Sequence, residues 1–404
     1  MSSTSPSLRL RLRPLRGVRY DTCRVADLSA MVSPAYDDLD PARVTELRSR
    51  PHHIARLLHT DDPHRTATQL SSWIRRGVLV RDALPALYVY QQRLGEQVLQ
   101  RGVIGACDLP RPGDRTVLAH EDVQPHVVTA RAALMEGLGA QPEPLLLAYN
   151  STAPSATQVI DRITHLPPAA NVRIGAITHT LWACIDPDDQ AVIAADVAQA
   201  QALIADGHHR YAACRQLRER HGPGSWGSCL ALFVNTAVHP LRLTAIHRVI
   251  PGLEPDKAAA AAADVACVRP LPDGPRTPQP GELVLTGAGR AWSVTGLDPR
   301  ALDEALTGRP AQWREVPAAI ADHVLLAHRW SVQGRPDAVR YVHDAGPAAD
   351  AVAAPGSGTA VLLPAMTETT VRQLAANGVL LPRKSTSFGP KPAAGLVLRV
   401  LDRT

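Results

Sequence analysis

The stretch Ala202-Leu203-Ile204-Ala205-Asp206-Gly207-His208-His209-Arg210-Tyr211 decides how this chain is read. Four apolar residues form a short buried strand, Asp206-Gly207 breaks it, and helix formers run on from 210 to 220. A glycine at a strand-to-helix turn lets the backbone approach an anion closely, and the first helical N–H groups with their dipole favour negative charge. That geometry suits phosphate. Arg210 adds a planar fork for phosphate oxygens, and Asp206 is placed by type to hold a magnesium ion or to orient His209. The same residues allow a plainer reading, in which His208 and His209 cap the helix while Tyr211, Cys214 and Leu217, at helical spacing, pack it down. Adjacent histidines diverge at a turn, so the doublet does not read as a metal clamp.

Upstream, residues 1 to 250 alternate β-rich runs with helical stretches, the pattern of an α+β (mixed α/β) unit. Leu8-Arg9-Leu10-Arg11-Leu12-Arg13 alternates with period two and predicts a first strand. Strands at 86–91 and 98–109 meet at a Gly95 turn. A helix at 131–138, a buried strand at 144–149, a strand at 179–185, a helical stretch at 192–203 and a strand at 241–246 follow. From 251 to 281 the composition turns to Ala and Pro with little periodicity, which predicts a boundary or surface insertion. Residues 282–296 read as a hairpin about Gly287-Ala288-Gly289. The end holds a helix at 368–377, a Gly378 stop, a basic loop and a last strand at 395–401. The expected organisation is a core at 1–250, a variable α/β insertion or subdomain at 251–360, and a segment at 361–404 that returns to the core.

The 404 residues, 45% of them apolar, are enough for a large core and exclude a disordered or disulfide-scaffold chain. A net charge of +5 spread along the chain gives no nucleic-acid signature. The six cysteines lie far apart with no Cys-x-x-Cys pair, so free thiols in a reducing cytoplasm are the expectation. No apolar run reaches the roughly 20 residues of a membrane helix, and oligomeric state is not legible. The composition is also biased. Of 43 basic residues, all but Lys257, Lys384 and Lys391 are Arg, so each remaining Lys is informative.

Two of those lysines fall in Pro382-Arg383-Lys384-Ser385-Thr386-Ser387-Phe388-Gly389-Pro390-Lys391. Lys is a compact, mobile point charge of the kind used on transferring phosphates, and Ser385 and Thr386 beside it are able to ligate phosphate or metal. A solvated basic loop is the alternative. Pro14-Leu15-Arg16-Gly17-Val18-Arg19-Tyr20 and Ser33-Pro34-Ala35-Tyr36-Asp37-Asp38 join Arg, Tyr and carboxylates to turn formers, as either an active-site rim or ordinary loops. His120-Glu121 follows a strand-like run, with Glu121 a general base or a surface carboxylate. His247-Arg248 is similar in kind.

Together these motifs resemble the bacterial family called domain of unknown function 1015. The residues carrying the match are Pro14-x-Arg16-Gly17-x-Arg19-Tyr20, Ser33-Pro34-x-Tyr36-Asp37, Ala86-x-Tyr88-Val89-Tyr90, His120-Glu121, Leu181-Trp182, Ala205 to Tyr211, His247-Arg248 and Lys384-Ser385-Thr386-x-Phe388-x-Pro390-Lys391. The Asp-Gly-His-His-Arg loop is similar to the phosphate-binding signature of the ParB and sulfiredoxin superfamily, above all to that of archaeal free serine kinases. That resemblance implies a ParB/sulfiredoxin-like core with an added β-rich N-terminal part and a C-terminal α/β segment, and puts Asp206, His208, His209 and Arg210 on nucleotide phosphates and metal. Two departures discriminate. The sulfiredoxin cysteine position is His208 here, which removes the nucleophile needed for sulfinic-acid repair. No basic recognition helix of the ParB kind follows residue 250. Where the larger family carries an acidic residue before Arg131, this chain has Ala130.

The expected function is a nucleotide-dependent phosphotransferase, ATP or ADP being the donor with Mg2+, acting on a small hydroxylated metabolite such as free L-serine to give O-phosphoserine. Asp206, Gly207, His208, His209, Arg210, Lys384, Ser385, Thr386 and Lys391 are the expected phosphate ligands, with His209 and Lys384 also counted as catalytic. Glu121, then Asp37, is the expected proton acceptor. Arg16 and Arg19, with Tyr36 and His120, are the expected acceptor-binding residues. The alternatives are a nucleotide-binding regulatory protein without turnover and a phosphate-ester hydrolase on the same site.

Overall fold

The computed structural model describes residues 9–35, 39–60, 62–111, 113–332 and 338–401. The chain divides into two units: 1–118, 123–241 and 390–404 form the first, 119–122 and 242–389 the second. This division differs from the one the sequence suggested. The break falls at 241/242, and residues 361–389 stay with the second unit because Thr386–Gly389 pairs with Arg242–Ala245 and Thr359–Leu362 lies inside that unit's own sheet.

The first unit is built on a nine-stranded mixed sheet. Its order is Val117–Leu118, Ala202–Asp206, Leu145–Tyr149, Ser228–Asn235, Gln97–Asp108, Leu87–Leu94, Ile177–Cys184 and Ala170–Ile174, with Leu12–Arg13 added against Gln97–Asp108. Two neighbour pairs are parallel, Val117–Leu118 with Ala202–Asp206 and Leu145–Tyr149 with Ser228–Asn235. The fold is therefore α+β with a mixed sheet, as the sequence pattern implied. Leu10 and Leu12 are buried while Arg11 and Arg13 face out, so the period-two reading holds for the described part of that strand. Leu145–Tyr149 is buried at every position, which is why it reads as a continuous apolar run without alternation. The helix expected at 192–203 instead spans Pro187–Val197.

Four helices share one start signal. Asp40-Pro41, Asp62-Pro63, Asp186-Pro187 and Asp298-Pro299 each place an Asp side chain on a first-turn N–H, at Arg43 (2.8 Å), Arg65 (3.0 Å), Asp188 (2.8 Å) and Arg300 (2.9 Å), while Pro occupies the position that needs no donor. Each cap stabilises its helix by about 1 kcal/mol.

The second unit carries a six-stranded antiparallel sheet, ordered Cys267–Pro270, Arg290–Thr295, Leu283–Gly287, Thr359–Leu362, His247–Ile250 and Arg340–Val342. The expected hairpin is present, closed by a two-residue turn at Ala288 (φ 50°) and Gly289 (φ 74°), both left-handed as a type I′ connection requires. The Ala/Pro-rich region is not a plain insertion. Pro255–Ala263 is a helix burying Pro255, Ala258, Ala259 and Ala262, an i, i+3, i+4, i+7 face that a run of identical alanines hides from the sequence. Glu368–Ala376 and the Gly378 stop (φ 77°) stand where expected, whereas the last strand shrinks to Arg399–Val400. Among the described residues no helix is long and apolar enough to cross a membrane, and the six cysteines carry free thiols.

Candidate functional site

In the first unit, strand Ala202–Asp206 ends at Gly207 (φ 96°, ψ 30°) and helix His208–His221 begins. That φ belongs to glycine, and a Cβ built there would stand 2.8 Å from Leu145 Cδ2. Where four other helices begin with an Asp cap, this one begins with a residue that has no side chain to accept a first-turn N–H, so its positive end keeps its field. Tyr211, Cys214 and Leu217 are buried and seat the helix, as the plainer reading of the spacing had it.

Asp206 sits between two cations. Arg210 Nη2 bonds one carboxylate oxygen and its Nη1 bonds the Pro144 carbonyl, while Lys391 Nζ lies 4.0 Å from the other oxygen. The side chains of Asp206 and Lys391 are each 11% exposed, so this is a recessed charge cluster. Arg210 thus locks the turn onto the chain at Pro144. His209 Nε2 accepts the Gln124 backbone N–H at 3.1 Å, at the N-cap of helix Pro125–Leu138, so in the neutral ring the proton resides on Nδ1. His208 occupies the first helical position and is half-buried.

Lys391 is placed by a buried polar layer that sequence reasoning missed. Gln92 Nε2 donates to the Lys391 carbonyl (2.8 Å) and Gln100 Nε2 to the Pro390 carbonyl (2.9 Å). The Ala393 N–H donates to Tyr90 Oη (3.1 Å), which is itself hydrogen-bonded to His179 Nδ1 (2.7 Å). Burial pushes His179 down to about 4 and raises Tyr90, so the ring is neutral and the phenol keeps its proton. Gln92 and Gln100 face each other in the strand register and are almost wholly buried, yet each has an unpartnered Oε1. Two buried glutamines facing each other across these strands were the available signal.

A cavity beside this turn is lined by Leu58, Arg131, Leu134, Met135, Glu143 and Arg210 among others, but it encloses only about 20 Å³. That is room for one water, not for a nucleotide base.

In the second unit, His120 and Glu121 join the Lys384 loop. The Leu381 N–H donates to the His120 carbonyl (2.7 Å), His120 Nε2 meets Thr386 Oγ1 (2.9 Å), and Ser385 Oγ donates to the Pro382 carbonyl. Ser385 and Thr386 are thus buried with partners inside their own unit. Lys384 has φ 59°, a left-handed conformation that costs a non-glycine residue about 1 kcal/mol or more. It is held at both ends, its N–H donating to Glu121 Oε1 (2.7 Å) and its carbonyl accepting from Arg248 Nη1 (3.0 Å). Arg248 is 0% exposed and forms a two-bond fork to Asp322 at 2.8 and 2.7 Å. Burial raises Glu121 above the usual carboxylate range, against the opposing pull of the Lys384 N–H and nearby cations. The Lys384 side chain itself is exposed.

The remaining expected residues lie elsewhere. Arg19 closes its fork on Asp82 (2.9 and 2.6 Å), Tyr88 Oη donates to the same carboxylate, and the Gly17 N–H donates to Tyr88 Oη (2.9 Å). A Cβ on Gly17 would come 2.4 Å from that oxygen, which explains the glycine in the Arg-Gly-x-Arg-Tyr motif as a packing requirement. Arg16 Nε donates to the Asp82 carbonyl (2.9 Å) and lines a separate cleft. Tyr36 and Asp37 lie outside the described residues.

A magnesium site at Asp206 does not fit this arrangement. Both carboxylate oxygens face cations, and the described residues contain no group of three or more His, Cys, Asp or Glu side chains able to hold a metal.

The family model "Protein of unknown function (DUF1015)" matches residues 12–317. The chain belongs to that family. No curated protein matches it. Solved structures similar to it include a free serine kinase in complex with AMP (15% identity, 68% of this chain and 84% of that one, TM-score 0.38) and SbnI with a C-terminal truncation from Staphylococcus aureus (10%, 74% and 87%, 0.39). A conserved hypothetical protein from Pyrococcus furiosus is comparable (14%, 70% and 92%, 0.37).

Proposed function

We propose that this protein binds a nucleotide by its phosphates at the 206–210 turn and transfers a phosphoryl group to a small hydroxylated metabolite, free L-serine being the best candidate. The observation that carries the reading is the uncapped, glycine-opened start of helix His208–His221 with the Lys391 ammonium fixed beside it. A glycine turn admits the polyanion, the helix dipole attracts it, and Lys391 supplies a compact point charge. Arg210 keeps the turn in shape instead of reaching the ligand, and His208 stands at the first helical position where a phosphate oxygen would meet it. Magnesium enters as part of the substrate, the metal–nucleotide complex, and no step is assigned to a protein-bound ion.

In the transfer, the acceptor hydroxyl oxygen forms a bond to the terminal phosphorus as the bond to the leaving nucleotide oxygen breaks, and the hydroxyl proton passes to a base. The test is incubation of the purified chain with magnesium, nucleoside di- and triphosphates and an amino-acid panel, followed by phosphorus resonance. Serine-dependent phosphoserine supports the proposal. Tight nucleotide binding with no turnover across all acceptors replaces it with a nucleotide-sensing role, and phosphoserine breakdown without a nucleotide replaces it with hydrolysis.

A further inference from the structure

Lys391 stands between two prolines, Pro390 and Pro392. Each ring fixes its own φ, and Pro392 confines Lys391 to extended backbone, so the segment is stiff before it packs. Neither proline has an N–H, and residues 390–393 lie outside helix and strand. Side chains of the sheet meet this backbone instead. Gln100 donates to the Pro390 carbonyl (2.9 Å) and Gln92 to the Lys391 carbonyl (2.8 Å), while Tyr90 Oη accepts the Ala393 N–H (3.1 Å). Anchors on Pro390, Lys391 and Ala393 leave the ammonium only the torsions of its own side chain, which end with Nζ 4.0 Å from Asp206. Gln100 is 0% exposed and Gln92 1%, and each amide keeps an Oε1 without a partner. An apolar pair would trade those two orphaned oxygens for two unmet carbonyls, so the amides do not complete the core. What they add is the location of the segment.

We propose that Gln92 and Gln100 are positioning residues for phosphate binding. They hold the carbonyls of Pro390 and Lys391 so that the Lys391 ammonium stands at the 206–210 turn, and they act on the ligand through that ammonium alone. This role rests on the nucleotide reading of the turn and assigns to it two side chains that set affinity without touching the ligand.

The simpler reading is that the two amides only stabilise the sheet, and two measurements on the full chain separate it from the proposal. The chain has three lysines, of which Lys257 and Lys384 are exposed and Lys391 is recessed. Labelling lysine with carbon-13 at the ε position therefore gives three signals, and Lys391→Met assigns the recessed one. The proposal requires that signal to stand apart in the parent and to move to the position of the exposed pair in Gln92→Met/Gln100→Met, the other two staying in place. Tyr90→Phe removes the anchor on Ala393 while keeping the ring, and should move the same signal where the paired substitution lowers the thermal midpoint. Calorimetric titration with magnesium ADP supplies the second measurement. The paired substitution should weaken affinity about fivefold or more in the parent and less than about twofold in a Lys391→Met background, because groups that act through one shared partner are not additive. An unmoved Lys391 signal, or an affinity loss equal in both backgrounds, overturns the positioning role and leaves the nucleotide reading standing. A parent chain that binds no magnesium ADP removes the nucleotide reading and this role with it.

Discussion

Replacing Lys391 by Met removes the ammonium while keeping a flexible stem of similar length. The Nζ lies 4.0 Å from Asp206 Oδ1 with both side chains recessed, so the gross attraction is about 4 kcal/mol at an effective dielectric of about 20. Most of that is offset by the cost of holding two charges out of water. Asp206 also keeps its hydrogen-bonded Arg210, and the Gln92 contact is to the Lys391 backbone, which the substitution leaves in place. The chain should therefore lose about 1 kcal/mol of stability or less. A nucleotide phosphate loses a charge-assisted partner with no replacement, a deficit of about 2 kcal/mol, or roughly thirtyfold in affinity. Titration calorimetry with magnesium ADP and urea unfolding of the same preparation read the two quantities separately. Nucleotide affinity within twofold of the parent, or a stability loss as large as the binding loss, would refute the assignment of Lys391 to the ligand.

Gly207→Ala should cost roughly 1–2 kcal/mol for the left-handed φ and a further ~1–3 kcal/mol for the contact with Leu145, seen as a lower urea midpoint together with lost nucleotide binding. Arg248→Met strands Asp322 and releases the Lys384 carbonyl. It should lower stability by about 3–5 kcal/mol, and unfolding unchanged within 1 kcal/mol would show that the buried fork does not hold the loop. Burial pushes His53, His179 and His247 down to about 4 from an ordinary value of 6.5. In that window the unfolded chain binds more protons, so stability is present above pH 6.5 and drains as pH falls toward 4, which urea midpoints at pH 7, 6 and 5 will follow. Glu121 has the opposite sign: its raised pKa makes the native state the better proton binder above 4.5, so stability declines as pH rises through that interval, and Glu121→Gln should flatten this part of the profile.

Where local chemistry was self-sufficient, the amino-acid order was enough. The Gly95 and Ala288-Gly289 turns, the apolar strand Leu145–Tyr149, the Gly207 turn and the helix after it are set by φ preference and side-chain period, and these act over a few residues. The Ala/Pro region shows the limit, since a helix whose buried and exposed faces are both alanine carries no pattern to read. The expected phosphate hydroxyls of Ser385 and Thr386 failed to announce their internal partners for a related reason. A residue type states what a side chain is able to do, whereas its partner is fixed by which strands come together.

The order of residues by itself determined the α+β class, the glycine that opens a helix, and the oddity of lysines surviving among so many arginines. Tertiary structure decided the rest. It brought Lys391 to Asp206, closed Arg19 on Asp82, put Gln92 and Gln100 under Lys391, and gathered Arg13, Arg16, Arg81 and Arg399 around one cleft. Each of those pairings joins residues whose interaction depends on distance in space, and sequence separation carries no information about that distance until the sheet has brought the strands into register.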